Sequence, residues 1–323
     1  MRKKMTTLIG NTPMIKINYR YQGVMGSCYT KLEYYNLSGS IKDRMVDYIL
    51  TNAKQTGMLK DGMPIIEATS GNTGISIAAL GARYHHSVYI FMPDWCSKER
   101  QLMMKRYGAH LTLVSKAEGG FAGCIAKADA LAKTLGGYRP DQFSNSDNRK
   151  AHYKSTALEI YKSLPGVTSF VSGIGTGGTL MGIGSYLKEN NPRIRVVALE
   201  PDKMPMLTNG AILGQHKIEG IGDDFIPELV DQSLLDDVRL INDDDAVNMA
   251  RLLAAKLGLG VGISSGANFL AAVLEQADYP GVVATVFPDD NKKYLSTSYA
   301  DEINSDAAYL SNQIELLDYE IIS

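Results

Sequence analysis

A run of glycines and threonines is the segment of the chain best suited to chemistry. Gly173-Ile-Gly-Thr-Gly-Gly-Thr179 follows an apolar, β-branched stretch and precedes a helical pattern, so it is predicted to be a strand-to-helix turn. Glycine lets the backbone approach a ligand closely, and the N–H groups at a helix start favour an anion such as phosphate. The same residues satisfy the dinucleotide pattern G-x-G-x-x-G, with Glu200 about twenty residues further on. An NAD site is therefore a competing interpretation, and a purely structural turn is a third.

A second turn, Thr69-Ser-Gly-Asn-Thr-Gly74, carries three hydroxyls and one amide just before another helical pattern. Hydroxyl and backbone donors at a helix N-terminus can bind a small carboxylate, and the Asn72 amide can donate to a phenolate-like oxygen. The same residue types also cap helices without any ligand, so capping is the alternative interpretation.

Two further turns offer a lysine and a serine. Lys42 lies in Asn36-Leu-Ser-Gly-Ser-Ile-Lys-Asp-Arg44, before an amphipathic pattern, where the positive end of a helix favours the neutral, nucleophilic amine that Schiff-base chemistry requires. The alternative is a solvated surface lysine, with Asp43 and Arg44 as a surface ion pair. In Gly262-Ile-Ser-Ser-Gly-Ala267 a serine hydroxyl could bond a ring nitrogen or only cap a helix.

The elements that must position these turns alternate along the chain from residue 60. This alternation predicts an α/β protein built from two doubly wound domains, with a boundary near residue 145. The tail after about residue 300 is acidic and weakly patterned, so it is interpreted as a surface extension or an oligomer arm. Strands are predicted over 64–69, 87–92, 111–115, 168–173, 194–200 and 282–287, and helices over 75–83, 97–107, 121–135, 244–257 and 266–277, with one more helix ending before Pro192.

The composition is that of an ordinary soluble globular chain, since 45% of the 323 residues are hydrophobic and 21% are charged. The net charge of −2 gives no general attraction to nucleic acid or to an anionic membrane. Cys28, Cys96 and Cys124 are widely spaced and odd in number, which disfavours a disulfide framework or a zinc site and fits a reducing cytoplasm. No secretory signal, membrane span or metal site is predicted.

In their order and wording, these segments resemble the cysteine synthase group of fold-type II pyridoxal-phosphate enzymes, which includes O-acetylserine sulfhydrylase and the catalytic core of cystathionine β-synthase. The resemblance covers nearly the whole chain and adds Ile9-Gly-Asn-Thr-Pro13 and Pro288-Asp-Asp-Asn-Lys-Lys-Tyr-Leu295 to the four turns. It implies a tryptophan synthase β-like fold with pyridoxal 5′-phosphate between a smaller mobile domain, 39–145, and a larger domain, 1–38 with 146–323. It also implies a homodimer and a small amino acid as substrate.

Residue by residue, the resemblance implies a complete site. Lys42 resembles the Schiff-base lysine that later moves protons, Asn72 resembles the donor to the cofactor's ring oxygen, and Ser264 resembles the group facing the pyridine nitrogen, with Ser265 as its alternative. A serine there makes the ring a weaker electron sink and favours loss of a β-substituent over transamination. The cofactor phosphate is expected on Gly175, Thr176, Gly177, Gly178 and Thr179, and the substrate carboxylate on Thr69, Ser70, Asn72, Thr73 and Gln142.

One segment departs from this family. Where typical O-acetylserine sulfhydrylases resemble G-I-G-A-G-F-I-P, this chain reads Gly220-Ile-Gly-Asp-Asp-Phe-Ile-Pro227, so two carboxylates replace small residues at the expected mouth of the site. Hydrosulfide is already largely an anion near neutral pH and would be repelled by a carboxylate, whereas water needs a base to take its proton. Asp223 or Asp224 is therefore the hypothetical base. The alternative is that both face solvent or cap a turn.

The expected reaction is β-elimination or β-replacement on L-cysteine through an aminoacrylate, with release of hydrogen sulfide. Water as the incoming nucleophile gives L-serine, and a thiol such as a second cysteine gives lanthionine. The first alternative is an O-acetylserine or O-phosphoserine sulfhydrylase that makes cysteine. Asp290-Asn-Lys-Lys-Tyr294, where relatives usually carry Ser-Gly-Glu-Arg-Tyr, leaves the natural substrate open. The second alternative is a non-catalytic module that binds an anion or NAD.

Overall fold

Two β-sheets organise the chain in a computed structural model that describes residues 8–304 and 306–322. The strands are β1 (Met14–Tyr21), β2 (Val24–Leu32), β3 (Ile65–Ala68), β4 (Val88–Pro93), β5 (His110–Val114), β6 (Ser169–Gly173), β7 (Arg195–Pro201), β8 (Asp237–Ile241), β9 (Val283–Phe287) and β10 (Ile314–Ile322). The helices are α1 (Lys42–Gln55), α2 (Asn72–Arg83), α3 (Lys98–Arg106), α4 (Gly120–Leu135), α5 (Ser146–Lys154), α6 (Thr156–Ser163), α7 (Gly178–Asn190), α8 (Met206–Asn209), α9 (Asp243–Leu257) and α10 (Ile263–Asp278).

The larger sheet has the strand order β10-β1-β2-β9-β6-β7-β8 among the described residues. Its strands from β2 to β8 run parallel, whereas β1 and β10 extend one edge in antiparallel pairing. The smaller sheet has the order β3-β4-β5 and is parallel throughout. Because parallel strands need crossover helices, this arrangement places helices against the sheets and gathers the turns at the strands' carboxyl ends.

Each sheet is covered by helices on both faces. In β7, Val197 and Leu199 belong to a core shared with α9 and α10, whereas Val196 and Ala198 belong to a core shared with α6 and α7. In the smaller sheet, α1 and α2 share one core with β4, and α4 packs on the opposite face. The predicted α/β class with two doubly wound units is therefore confirmed. The smaller sheet falls within 39–145, but those domain boundaries stay a prediction.

The predicted βα elements are present with ends shifted by at most three residues. The largest shifts are at α2 and α10, which begin three residues early because their turn residues already form the first helical turn. The interpretation of the tail as a surface extension is wrong, since β10 pairs with β1 along the edge of the larger sheet. Its pattern is weak because an edge strand is largely exposed on both faces. No described helix combines the length and apolar character needed to cross a membrane.

Candidate active site

A cleft lies between the two sheets, at the carboxyl ends of their parallel strands. Thr69 follows β3, Gly173 ends β6 and Pro288 follows β9, and all three residues line the cleft. Ligands of open α/β sheets bind at this edge. The predicted site residues that line the cleft are Lys42, Thr69, Ser70, Asn72, Thr73, Gln142, Gly175, Thr176, Gly177, Thr179, Asp223 and Ser264. Gly178 and Asp224 do not line it.

Lys42 is the first residue of α1 and lines the cleft. Burial lowers the pKa of its ammonium, while the carboxylates of Asp223 and Asp289 oppose this shift. A lowered pKa increases the neutral, nucleophilic fraction of the amine. The sequence predicts a neutral lysine from the helix end alone, whereas burial in the cleft is the main cause in the structure.

The glycine-rich turn connects β6 to α7 and needs its glycines. Gly177 has a φ of +83°, and a Cβ at Gly175 would lie 2.3 Å from the carbonyl oxygen of Gly220. A Cβ at Gly178 would lie 2.0 Å from Oδ1 of Asn148, so this glycine supports the turn from behind although it does not face the cleft. The turn therefore brings backbone close to the cleft at a helix N-terminus, the arrangement that binds phosphate.

Side chains behind the glycine-rich turn fix its two threonines. Asn148 Nδ2 donates to Thr176 Oγ1 at 2.9 Å, and Thr179 Oγ1 lies 3.4 Å from Nε2 of His152. Burial, reinforced by the charges of Lys42 and Arg44, lowers the pKa of His152 well below its ordinary value. His152 is thus a neutral hydrogen-bonding group at this position.

Residues 69–74, hereafter the substrate loop, bring hydroxyl groups to one wall of the cleft. Thr73 Oγ1 donates to Gln142 Oε1 at 2.5 Å, and Gln142 Nε2 donates to the carbonyl of Ala68 at 3.4 Å. Thr69 Oγ1 accepts from the Gly71 amide at 3.1 Å. Gln142 is far away in sequence, so the structure brings together two members of the predicted carboxylate clamp.

Asn72 of α2 and Ser264 of α10 both line the cleft. Asn72 Nδ2 donates to Asp289 Oδ2 at 2.8 Å, and its buried Oδ1 has no hydrogen-bond partner among the described residues. Ser264, in the first turn of α10, lines the cleft. Ser265 is buried without lining it, and its Oγ also lacks a described partner. Of the two serines, Ser264 is therefore placed to face a ligand.

The two aspartates of residues 219–225, hereafter the acidic loop, have different environments. Asp223 lines the cleft, and burial first and the charge of Asp224 second raise its pKa to about 6, with Lys42 opposing. Asp224 is exposed to solvent. Asp223 thus combines access to the cleft with a pKa close to neutrality, as a general base requires.

The acidic loop is anchored on the glycine-rich turn. The Gly222 amide donates to the carbonyl of Ile174 at 3.0 Å, and Gly222 has a φ of +75°. Its carbonyl accepts a hydrogen bond from His216 Nε2 at 2.7 Å. These contacts fix the backbone directly before Asp223 and so direct its carboxylate.

Several residues of the site have no signal in the sequence analysis. Arg100 lies in a charged helix segment that reads as solvent-exposed, and Glu219 and Phe143 lie in irregular segments, yet all three line the cleft. Asp289 is contained in the segment 288–295 that carries the resemblance, but its contact with Asn72 depends on a β9 connection that local sequence does not reveal. No group of three His, Cys, Asp or Glu side chains in 8–304 or 306–322 is arranged to hold a metal ion.

The residues present suit pyridoxal phosphate. A buried lysine of lowered pKa and a glycine-rich helix start where side chains would collide line one cleft. Asn72 also lines it, and its Nδ2 donates one hydrogen to Asp289 and has a second for a ring oxygen. The glycine-rich turn would hold the phosphate, Lys42 the aldehyde carbon, Asn72 the ring oxygen and Ser264 the ring nitrogen.

Comparison with known proteins agrees with this geometry. Residues 5–289 match the family model described as pyridoxal-phosphate dependent enzyme. The chain is 38% identical over 296 residues to cysteine synthase of Staphylococcus aureus strain Mu50, covering 90% of this chain and 95% of that enzyme. A hydrogen sulfide-producing enzyme of Fusobacterium nucleatum is 47% identical, covers 98% of both chains and has a TM-score of 0.94.

A related structure is an aspartate-to-asparagine variant of a hydrogen sulfide-producing enzyme in complex with an α-aminoacrylate intermediate. It is 47% identical, has a TM-score of 0.93, and the match covers 96% of this chain and 95% of the other. Sequence, fold and cleft therefore agree, and the chain belongs to the pyridoxal-phosphate dependent enzymes of the cysteine synthase family.

Proposed function

We propose that this enzyme converts L-cysteine and water into L-serine and hydrogen sulfide through an aminoacrylate. The observation that carries the proposal is Asp223, a carboxylate in the cleft with a pKa of about 6. A carboxylate there disfavours an anionic nucleophile such as hydrosulfide, because like charges repel strongly in a partly desolvated cleft. It favours a neutral nucleophile whose proton must be removed.

In the proposed first half of the reaction, the C–S bond of cysteine breaks. The substrate loop and Gln142 hold the carboxylate, and Lys42 takes the α-proton as base. The sulfur leaves with the electron pair of the C–S bond and, once protonated, is hydrogen sulfide. Bound pyridoxal phosphate supplies the electron sink for this step.

In the second half, water adds to Cβ. Asp223 takes one proton from the water while the water oxygen bonds to Cβ, and Lys42 returns the α-proton to Cα. The proton on Asp223 is then released, which balances the proton that hydrosulfide takes up to become hydrogen sulfide. The sum is cysteine plus water giving serine plus hydrogen sulfide, with no oxidant or reductant required. Asp224, exposed and outside the cleft, is left without a part in proton transfer.

The relatives support this direction of reaction. One is described as a hydrogen sulfide-producing enzyme, and its aspartate-to-asparagine variant holds an α-aminoacrylate intermediate. The proposal expects the same behaviour when Asp223 is replaced: without this carboxylate, the aminoacrylate should form but should not react with water. The match to cysteine synthase favours the alternative, synthesis of cysteine from O-acetylserine or O-phosphoserine and sulfide.

Product analysis tests the proposal. Enzyme loaded with cofactor is given cysteine alone, and sulfide, serine, lanthionine and pyruvate are quantified. Asp223→Asn should lower serine formation by about 100-fold, since a general base typically contributes this much or more. Asp224→Asn, the matched change one residue away, should keep most of the activity.

Equal amounts of serine and sulfide from the wild type support the proposal. Lanthionine as the product would mean that a second cysteine, and not water, is the nucleophile. Pyruvate as the product would mean that no nucleophile adds to the aminoacrylate. Faster turnover of O-acetylserine with sulfide than of cysteine would instead favour the cysteine synthase alternative. If both asparagine variants form serine at the wild-type rate, neither Asp223 nor Asp224 is the base.

We also propose, from the family resemblance, a homodimer with a mobile smaller domain at 39–145 and a cytoplasmic location. The three cysteines are buried and unpaired, which suits a reducing compartment. Sedimentation equilibrium of the purified protein would measure the assembly, and a monomer at micromolar concentration would contradict it.

A further inference from the structure

Arg100 joins the two loops that the proposed reaction needs. It is the third residue of α3, its side chain is only 3% exposed, and its Nη1 pairs with Glu219 Oε2 of the acidic loop. On the other side, a Cβ built on Gly71 of the substrate loop would lie 3.1 Å from Arg100 Nε. The guanidinium stacks over the ring of Tyr294, with Cζ 4.6 Å from the centroid. One planar cation therefore bridges the walls of the cleft.

The far end of the acidic loop makes a second bridge. The rings of Phe225 and Phe143 meet edge to face, with centroids 5.1 Å apart. Phe143 directly follows Gln142, which accepts from Thr73. Both ends of the acidic loop thus contact groups that hold the predicted substrate clamp, and Asp223 lies between the two contacts.

Arg100 has one unused hydrogen-bond donor beside the substrate loop. Nε of Arg100 is buried and has no hydrogen-bond partner among the described residues. This unpartnered donor lies beside the substrate loop, since a Cβ built on Gly71 would be 3.1 Å from it. A movement of the substrate loop would therefore act directly on Arg100, the residue that pairs with Glu219.

We propose that Arg100 and Glu219 are positioning residues that couple the substrate loop to Asp223. Arg100 already pairs with Glu219 and so holds the acidic loop with Asp223 at the cleft. A carboxylate bound by the substrate loop would act on this pair through Arg100. The inference rests on the proposed addition of water. It assigns Arg100 and Glu219 to the second half of the reaction and not to release of sulfide.

The direct test is Glu219→Gln in the cofactor-loaded enzyme, compared with Glu228→Gln. Glu228 lies just beyond the acidic loop and is exposed, so both changes remove one negative charge from the same region. We expect kcat for serine formation to fall about tenfold in E219Q, within the usual range of coupling between sites. Sulfide released in the first turnover should stay at the wild-type rate, so the aminoacrylate should accumulate in the absorption spectrum.

Two further readouts separate positioning from general structure. Hydrogen exchange should increase in residues 219–225 of E219Q and stay unchanged in E228Q. Glu219→Asp, which keeps the charge, should restore part of the lost rate. If E219Q does not retain cofactor, Phe225→Leu, which weakens the other bridge, is measured in the same way.

The outcomes are distinct. Wild-type enzyme that makes no serine overturns the proposed function itself. Wild-type enzyme that makes serine, with E219Q showing unchanged kcat and no accumulation of aminoacrylate, overturns the coupling alone. An equal fall in first-turnover sulfide release and in serine formation also overturns it, since the pair would then support the site as a whole.

Discussion

Asp223 and Asp224 are neighbours in sequence with different chemistry. Asp223 is drawn into the cleft, where burial and the adjacent charge raise its pKa to about 6, whereas Asp224 faces solvent. The sequence predicts that one of the two is a base but cannot select between them, because the choice depends on the turn at Gly222. That turn is fixed by a hydrogen bond to Ile174, a residue distant in the chain.

The pH dependence of serine formation should report Asp223. The carboxylate is ionised above its pKa, so kcat should rise as pH increases through about 6 and then level off. Asp224→Asn removes the neighbouring charge that raises this pKa, so the inflection should move to lower pH. Rate profiles of wild type and D224N measure the shift, and an unchanged or upward-shifted inflection would contradict this account.

Lys42 should be required for covalent retention of the cofactor. Lys42→Ala removes the amine, so the purified variant should lose the yellow colour and should not gain a borohydride-stable adduct. Lys188→Ala is a suitable control, because Lys188 is half-buried and pairs with Asp236, away from the cleft. A coloured, reducible K42A protein would contradict the assignment of this lysine.

At the level of elements, the sequence predicts a strand or helix where the residues within that element carry a clear hydrophobic pattern. Strand β7 is buried on both faces and reads as a continuous apolar run over 196–199, so it is found from sequence. Strands β1, β2, β8 and β10 are not predicted. β1 and β2 form a hairpin before residue 60, where the predicted alternation begins, and β8 and β10 are the partly exposed edge strands of the larger sheet. The contact of Arg100 in α3 with Glu219 is not predicted either, because the two residues are far apart in sequence.

The turn between β6 and α7 should tolerate no side chain at Gly175. In Gly175→Ala, the added methyl would lie 2.3 Å from the Gly220 carbonyl oxygen, so either the turn or the acidic loop must move. We expect cofactor affinity to weaken by about tenfold or more, because the phosphate turn is displaced. Gly166→Ala, where no atom lies within 4 Å of the added carbon, is the matched control. Cofactor titration by absorbance distinguishes them, and equal affinities would show that the turn adapts.

At the scale of the molecule, the cleft depends on how α1 is fixed to the larger sheet. Arg44, two residues after Lys42, pairs with buried Glu33 at 2.6 Å and with Glu159 of α6 at 2.8 Å. Lys31 of β2 pairs with the other oxygen of Glu159, also at 2.8 Å. This network connects a strand and two helices and so holds the start of α1 at the cleft.

The network should make the protein sensitive to acid. Burial raises the pKa of Glu159, but hydrogen bonds and charges of Arg44 and Lys31 outweigh it and lower the pKa from 4.5 to about 2. A depressed folded-state pKa contributes stability that is present above pH 4.5 and is lost as pH falls toward 2. Glu159→Gln should therefore lower the free energy of unfolding at pH 7 by about 3 kcal/mol and remove part of its decline in acid.

Glu118 provides the control for that experiment. Its pKa is also about 2, through a hydrogen bond from Lys127 and contacts with Ser115, but its carboxylate is at the surface. Solvent screens such a pair, so Glu118→Gln should change stability little. Denaturant unfolding of both variants at pH 7 and pH 3 measures the difference. Equal losses of stability in the two variants would mean that burial adds nothing to the strength of the ion pairs of Glu159.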